Sequence, residues 1–320
     1  LKILIVGKLG SITHWLEDCA AAWRADGHEV RVAASRDPRV HPVIETVLLD
    51  ERLGAPVAAA IARRARRFAP DLIAAIGAYH VPAPVLERLF ALPGRPPLVG
   101  WVGDLFSPDA ARLAALLDAV AYTDSGLVAL HQRLGFAAPA WFLPHAVNPR
   151  GAAAPRRPSA ARRDRLVFIA NPTDHRRRIV SQIASPIDLY GRGWTPVATV
   201  DHHIAARRVP ANALRGLYGR HLAALNIRNE HHVLAGLNQR NFDPYLASTP
   251  VITDDQGDLA RCFDPEREVL VYRDVGELND LYARLRADPG WAARIGALGR
   301  RRVLADHTYA RRLAAIAALT

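Results

Sequence analysis

Residues 238–243, "NQRNFD", place an amide, a guanidinium and a carboxylate close together: Asn238, Arg240 and Asp243. An arginine fork suits phosphate oxygens, and a hydrogen bond to a charged group contributes roughly 1.5–3 kcal/mol. A carboxylate can accept both hydroxyls of a vicinal diol, the group a ribose presents. A helix starting at Asp243 would add free N–H groups and a dipole that favours phosphate. Asn238 adds a neutral donor. The trio has the chemistry of a nucleoside-diphosphate site. The plainer reading is an N-cap Asp beside a surface Arg.

The elements around the trio alternate strand and helix. "KILIVG", "EVRVAA", "DLIAAIG", "PLVGWVGD" and "AVAYTD" read as strands in the first half, with helical segments between them. "SPDAARLAALLD" places Ser107 as an N-cap, and "SGLVALHQRLG" does the same for Ser125. A Pro-, Ala- and Arg-rich stretch, residues 151–165, reads as a linker. The pattern then restarts with "LVFIAN", "IDLYG", "LAALNIR", "PVIT" and "EVLVYRD" as strands. The fold class is α/β, with two Rossmann-like doubly wound parallel-sheet domains.

Ligands of such sheets sit outside the carboxyl ends of the strands. The loop "GKLGSITHW" supplies Gly7 and Gly10, which permit a tight turn, although a plain strand-to-helix turn explains them equally well. His14, His80 and Asp104 follow strand ends and are the candidate catalytic base, with structural roles weighing against each. "NPTDHRRR" offers Arg176, Arg177 and Arg178 to a leaving diphosphate, with a solvated basic helix start as the alternative. Gly191 in "YGRGW" allows close backbone approach, and Asn226 closes the strand "LAALN". "TDDQGD" (Asp254, Asp255, Asp258) invites a metal reading but is better read as a polar loop. His202–His203 and His231–His232 are adjacent pairs whose side chains diverge, so they are not metal motifs.

The segment from "LNIR" through "NQRNFDPYLASTPVITD" to "GRRRVLADHTYARRL" resembles the CgeB-like (group-1-like) glycosyltransferases over about residues 160–312. That family's pattern is Asn-x-Arg-x-Phe-Glu, a small-residue helix, a strand ending in Thr-Asp, and a closing Gly-Arg-Arg…His-Thr-Tyr segment. The resemblance implies the GT-B fold, two facing α/β domains. Residues 1–150 would be the acceptor side and 166–306 the nucleotide-sugar-binding domain. Residues 307–320 would form a helix crossing back to the N-terminal domain. On this basis Gly10, Arg176, Arg178, Gly191, Asn226, Asn238, Arg240, Asn241, Phe242 and Asp243 are the expected nucleotide-sugar contacts. The chain departs from the family in carrying Asp243 where Glu is usual. In related retaining families with two Glu separated by seven residues, the first would fall on Ala235.

Composition sets outer bounds. The chain has 320 residues, enough for two cores, and half of them are apolar without a run long enough to span a membrane. Cys19 and Cys262 are the two cysteines and form neither a metal spacing nor a disulfide framework. A cytoplasmic protein is expected, with peripheral contact at the inner face of a membrane as an extension. The net charge is +11, and all but Lys2 and Lys8 of the 42 basic residues are arginine. A non-catalytic binding protein for nucleic acid or an anionic surface is the alternative function; no aromatic residues interleave with the basic linker, so nucleic acid is the weaker partner. A sugar-nucleotide epimerase would need more acids and histidines at strand ends than this chain shows. The expected function is therefore transfer of a sugar from a nucleotide-sugar donor, most often a UDP-sugar, to an unknown acceptor. No metal or other cofactor is expected. With no N-terminal carboxylate base beyond Asp104, retention is slightly favoured.

Overall fold

The computed structural model describes residues 1–7, 13–34, 51–106, 108–149, 162–196, 201–205, 209–265 and 267–318. The chain divides into two compact units. Unit 1 is Leu1–Pro144 with Tyr309–Thr320, and unit 2 is His145–Thr308. Most of the linker stretch, residues 151–161, lies outside the described residues, as do Gly10 and Ser107.

Unit 1 is built on a six-stranded parallel sheet: β1 (Lys2–Gly7), β2 (Glu29–Ala34), β3 (Leu72–Ile76), β4 (Leu98–Val102), β5 (Ala119–Tyr122) and β6 (Ala140–Phe142). The order is β2-β1-β3-β4-β5-β6, so the chain reverses its direction of travel at β1 and β3. Strands β3, β4 and β5 are buried along their whole length, as strands covered on both faces must be. Helices α1 (Thr13–Ala25), α2 (Glu51–Phe68), α3 (Ala83–Phe90), α4 (Ala110–Ala114) and α5 (Ser125–Arg133) connect them. The last helix, Tyr309–Ala317, belongs to this unit. It is pinned there by Trp23 Nε1, which donates to the Tyr309 carbonyl at 2.9 Å. Arg312 Nε donates to the Pro144 carbonyl at 2.7 Å.

Two caps differ from the sequence reading. The helix at 125–133 is capped by Asp124, whose side chain accepts from Gly126 N at 2.8 Å; Ser125 is its first residue. The carboxylate sits one residue earlier and reaches the free amide. The helix at 110–114 takes Asp109 as its N-cap residue.

Unit 2 repeats the plan with β7 (Arg163–Ile169), β8 (Ile187–Tyr190), β9 (His202–Ala205), β10 (His221–Asn226), β11 (Val251–Asp254) and β12 (Leu270–Tyr272). Their order is β12-β11-β10-β7-β8-β9, all parallel. This is the doubly wound arrangement in which a ligand crevice opens where the strand order reverses, here between β7 and β10. Helix α6 (Asp174–Val180) follows β7, and α7 (Ala211–Gly219) precedes β10. Strand β9, "HHIA", has no apolar alternation and is missed by sequence reasoning. It is an edge strand held by its pairing with β8.

The segment after Asp243 is not the α-helix its sequence suggests. Residues Asp243–Ala247 form a 3-10 turn that ends at Ser248 with φ 53°. Pro244 stands in its first turn and has no N–H, so this turn offers an anion fewer donors than a regular helix start would.

Candidate active site

The carboxyl ends of β10 and β11 carry a buried polar lattice. Asn226, the last residue of β10, accepts at Oδ1 from Asn238 Nδ2 (2.9 Å) and from Arg240 Nε (3.1 Å). Its Nδ2 donates to Asn241 Oδ1 at 3.2 Å and to Thr253 Oγ1 at 3.0 Å. Asn241 Nδ2 also donates to Thr253 Oγ1, at 3.1 Å. Asn238 caps the 3-10 turn Gln239–Asn241 by accepting from Arg240 N at 2.9 Å.

These amides satisfy one another, and the buried Asn226 and Asn241 therefore brace Arg240 rather than present donors to a ligand. Phe242 is likewise not a contact residue. It is fully buried, 5.4 Å from the Phe263 ring and 5.2 Å from His307.

Arg240 is held by one side only. Among the described residues Nε has its partner in Asn226, and neither terminal nitrogen forms a hydrogen bond. Asp243 stands beside it, oriented by Gln239. The Gln239 amide donates at 2.7 Å to Asp243 Oδ1 and at 2.7 Å to the Ala146 carbonyl. Gln239 was not singled out from sequence; only its position one turn before Asp243 hints at the bond. Asn238, Arg240 and Asp243 are thus brought together on one polar edge.

Arg176 is placed differently from the expectation. It is 4% exposed, and its guanidinium donates to the Ile227 carbonyl from Nε (3.2 Å) and Nη2 (3.1 Å) and to the Asn171 carbonyl from Nη1 (2.9 Å). It clamps the loop after β7 to the end of β10 across the reversal point. Arg178 lies on the exposed side of α6 and does not join the cluster. The α-helical repeat turns neighbouring residues of "HRRR" to different faces, so only one of them can point inward. Arg177 donates to the Gly193 carbonyl at 2.5 Å and to Thr195 Oγ1 at 3.1 Å. Gly191 has φ 143°, and a Cβ there would collide with the Ala170 carbonyl oxygen. The close approach that this glycine permits is to the chain's own backbone.

Two cations share a poorly solvated space. Burial, reinforced by the nearby Arg240 charge, lowers the Arg176 guanidinium to about 9. Burial also lowers Arg240, against the attraction of Tyr218, Asp254 and Asp243. An anion bound at this edge would relieve that penalty. A protonated Arg176 favours such binding, so diphosphate affinity should be flat up to about pH 8 and fall above about pH 9. Calorimetric titration of UDP across that range checks it, and an affinity that rises with pH would overturn it.

In unit 1, His80 ends the 3-10 turn Ala78–His80 after β3, and Asp104 follows β4. His80 Nε2 lies 3.0 Å from Asp104 Oδ2, and both side chains are partly exposed. Two of the three base candidates are therefore paired. His14 lies in the first turn of α1, and its side chain is outside the described residues.

The turn carrying His80 rests on a buried chain of hydrogen bonds. His131 Nε2 faces the Ala138 carbonyl at 2.6 Å and must donate to it, which leaves Nδ1 to accept from Tyr122 at 2.8 Å. Tyr122 in turn accepts from Tyr79 at 2.5 Å. Phe106, two residues past Asp104, packs edge-on against Tyr79 at 5.7 Å. No short motif marks these residues in the sequence.

Residues 169–318 match the family model described as glycosyl transferase-like. No curated protein matches the chain. Among solved structures, Alr3699/HepE of Anabaena in complex with UDP and glucose is 15% identical, with a TM-score of 0.72 and 100% of each chain covered. Sucrose-phosphate synthase of Thermosynechococcus elongatus is 14% identical, with a TM-score of 0.70, over 99% of this chain and 98% of that one. AviGT4, a glycosyltransferase involved in avilamycin A biosynthesis, is 16% identical, with a TM-score of 0.67, over 100% of this chain and 96% of that one. The fold is that of the GT-B glycosyltransferases, and the second half of the chain is similar in sequence to the glycosyl transferase-like family.

Among the described residues, no group of three or more His, Cys, Asp or Glu side chains is placed to hold a metal ion. None of their helices is long and apolar enough to cross a membrane.

Proposed function

We propose that the chain transfers a glycosyl group from a nucleoside-diphosphate sugar, a UDP-sugar by preference, to a hydroxyl acceptor, with unit 2 taking the donor and unit 1 the acceptor. The observation that carries this reading is Arg240. It is anchored through Nε with both terminal nitrogens unengaged, next to a carboxylate that Gln239 orients. A diphosphate would occupy the fork, and the ribose hydroxyls would donate to Asp243. The UDP complexes of HepE support UDP as the nucleotide.

In the reaction the bond from the anomeric carbon to the β-phosphate oxygen breaks and its electron pair leaves with the diphosphate. Arg240 stabilises the negative charge that develops there. The acceptor oxygen forms the new bond to the anomeric carbon, and its proton passes to His80. Asp104, accepting from His80 Nε2–H, leaves Nδ1 as the basic nitrogen. The sequence-based preference for retention rested on the lack of an N-terminal carboxylate base beyond Asp104; the pairing of His80 with that Asp104 favours direct displacement with inversion. The anomer formed, read by NMR of the first product, decides between them. The residues present supply the charge stabilisation without a metal. Full activity in the presence of a chelator is the expected outcome.

Arg240→Ala and Asp243→Ala should each weaken UDP binding by roughly 1–3 kcal/mol, with folding retained. Calorimetry on both variants tests the site; unchanged affinity in both would remove it from this edge.

A further inference from the structure

The polar loop "TDDQGD" after β11 holds buried polar side chains. Asp254 is 8% exposed, Gln256 4% and Asp258 0%. Asp254 Oδ1 accepts from Arg228 N at 3.1 Å and from Gln256 Nε2 at 3.1 Å. Gln256 Nε2 also donates to Thr253 Oγ1 at 3.0 Å. Asp254 Oδ2 and Gln256 Oε1 are both buried and have no hydrogen-bond partner. The nearest cation to Oδ2 is Arg228 Nε, at 3.5 Å, on a side chain that is 43% exposed.

An unsatisfied buried acceptor destabilises a fold. Two in adjacent side chains point to donors supplied from outside the chain. Burial pushes the Asp254 carboxyl up, as expected of an acid whose second oxygen lacks a donor.

The hydrogen bonds order these groups along the edge of unit 2. Gln239 ties to Asp243, and Arg240 ties to Asn226. Asn226 reaches Thr253, and Thr253 reaches Gln256 and through it Asp254. Arg240 lies within electrostatic reach of both Asp243 and Asp254. The sequence of chemistries is carboxylate, guanidinium, acceptor pair. A nucleotide sugar presents the complementary sequence of ribose diol, diphosphate and glycosyl hydroxyls.

We propose that Asp254 Oδ2 and Gln256 Oε1 form the subsite for two hydroxyls of the transferred sugar, reached when the half-exposed Arg228 side chain moves off Asp254. This rests on the nucleotide-sugar reading of Arg240 and Asp243. It assigns the recognition of the glycosyl group to a loop that the reading does not use. Ala235, whose carbonyl accepts from Asp258 N at 2.9 Å, contributes no acceptor side chain there.

The test is calorimetric titration of UDP and of a panel of UDP-hexoses, UDP-glucose and UDP-galactose among them, on the wild type, Asp254→Asn and Gln256→Leu. The wild type should bind the best hexose donor more tightly than UDP. Each variant should keep its UDP affinity within about twofold and lose about tenfold on that donor. Deoxy analogues of the best donor on the wild type give the same readout without a mutation. Removing the contacted hydroxyl should reproduce the loss, and the loss should not add to that of the variants.

Variants that keep the wild-type ratio of hexose donor to UDP would show that the two oxygens hold only buried water, and would overturn the subsite. So would a wild type that binds no hexose donor better than UDP, or variants that lose UDP and donor equally. A wild type that binds neither UDP nor any donor would instead sink the nucleotide-sugar reading itself.

Discussion

Replacing His80 by alanine is expected to lower turnover by about 10²–10⁴-fold while leaving UDP affinity within about twofold, the size of effect a positioned general base carries. His80 is joined to Asp104 through Nε2, at 3.0 Å. A carboxylate can only accept, so in the neutral imidazole Nε2 holds the proton and Nδ1 the lone pair. No other hydrogen bond involves the His80 ring among the described residues. Asp104→Asn replaces one accepting oxygen by a donor, which favours the other tautomer and turns the basic nitrogen toward the wrong partner. It should therefore fall toward the His80→Ala rate although every carbon stays in place. Turnover of UDP-glucose, to water or to a screened acceptor, compared with calorimetric UDP affinity, separates this from a binding defect. A His80→Ala enzyme with unimpaired turnover would remove the pair from the chemistry.

The second large effect is on stability. Asp188, in β8, is almost wholly buried and accepts from His221 Nε2 (2.9 Å), Arg165 Nε (2.5 Å) and Arg163 Nη1 (3.2 Å). His221 Nδ1 faces the Leu217 carbonyl at 2.8 Å. Both imidazole nitrogens therefore face acceptors.

Burial alone would raise the Asp188 carboxyl. The hydrogen bonds from His221 and Arg165 outweigh burial and hold the carboxyl below its ordinary value. Asp188→Ala removes the acceptor of the buried His221 Nε2 and one of the two carboxylates that Arg165 meets, the other being Asp201, and should destabilise the protein by about 3–5 kcal/mol. Arg163→Ala, at the exposed end of the cluster, should change stability by less than about 1 kcal/mol.

Because the folded-state value is depressed, the carboxylate's contribution is present above the unfolded value near pH 3.9. It is lost as pH falls through the lower folded value. Urea unfolding of both variants at neutral pH, and of the wild type down a pH series, measures this. Equal stability of Asp188→Ala and the wild type would show that the cluster is only an arrangement of neighbours.

The alternating apolar runs and helical segments were sufficient to call two parallel α/β sheets, because a strand covered on both faces has to be apolar throughout. "LIAAI" and "LVGWV" show this most plainly. The chemistry that Asn238, Arg240 and Asp243 could offer was also legible, since it is fixed by residue type. What those groups do to one another was not. Asn226 lies 12 positions before Asn238 in the chain, and only the β10-to-β11 crossover brings the two amides within 2.9 Å. Likewise, His80 and Asp104 are 24 positions apart and meet because β3 and β4 are neighbours in the sheet.

Sequence composition also misled where burial overrode polarity. "TDDQGD" read as a polar loop, yet Asp254 and Asp258 are buried, the end of β11 lying beneath Arg228 and beside β12. Arg176 and Arg178, two residues apart, have opposite environments because a helical turn separates their faces by well over a right angle. Residue type fixed which groups could bind or transfer a sugar. Only the packing of the sheets decided which of them are braces, which are core, and which still have an unengaged nitrogen or oxygen to offer, because hydrogen bonds are satisfied in space and not along the chain.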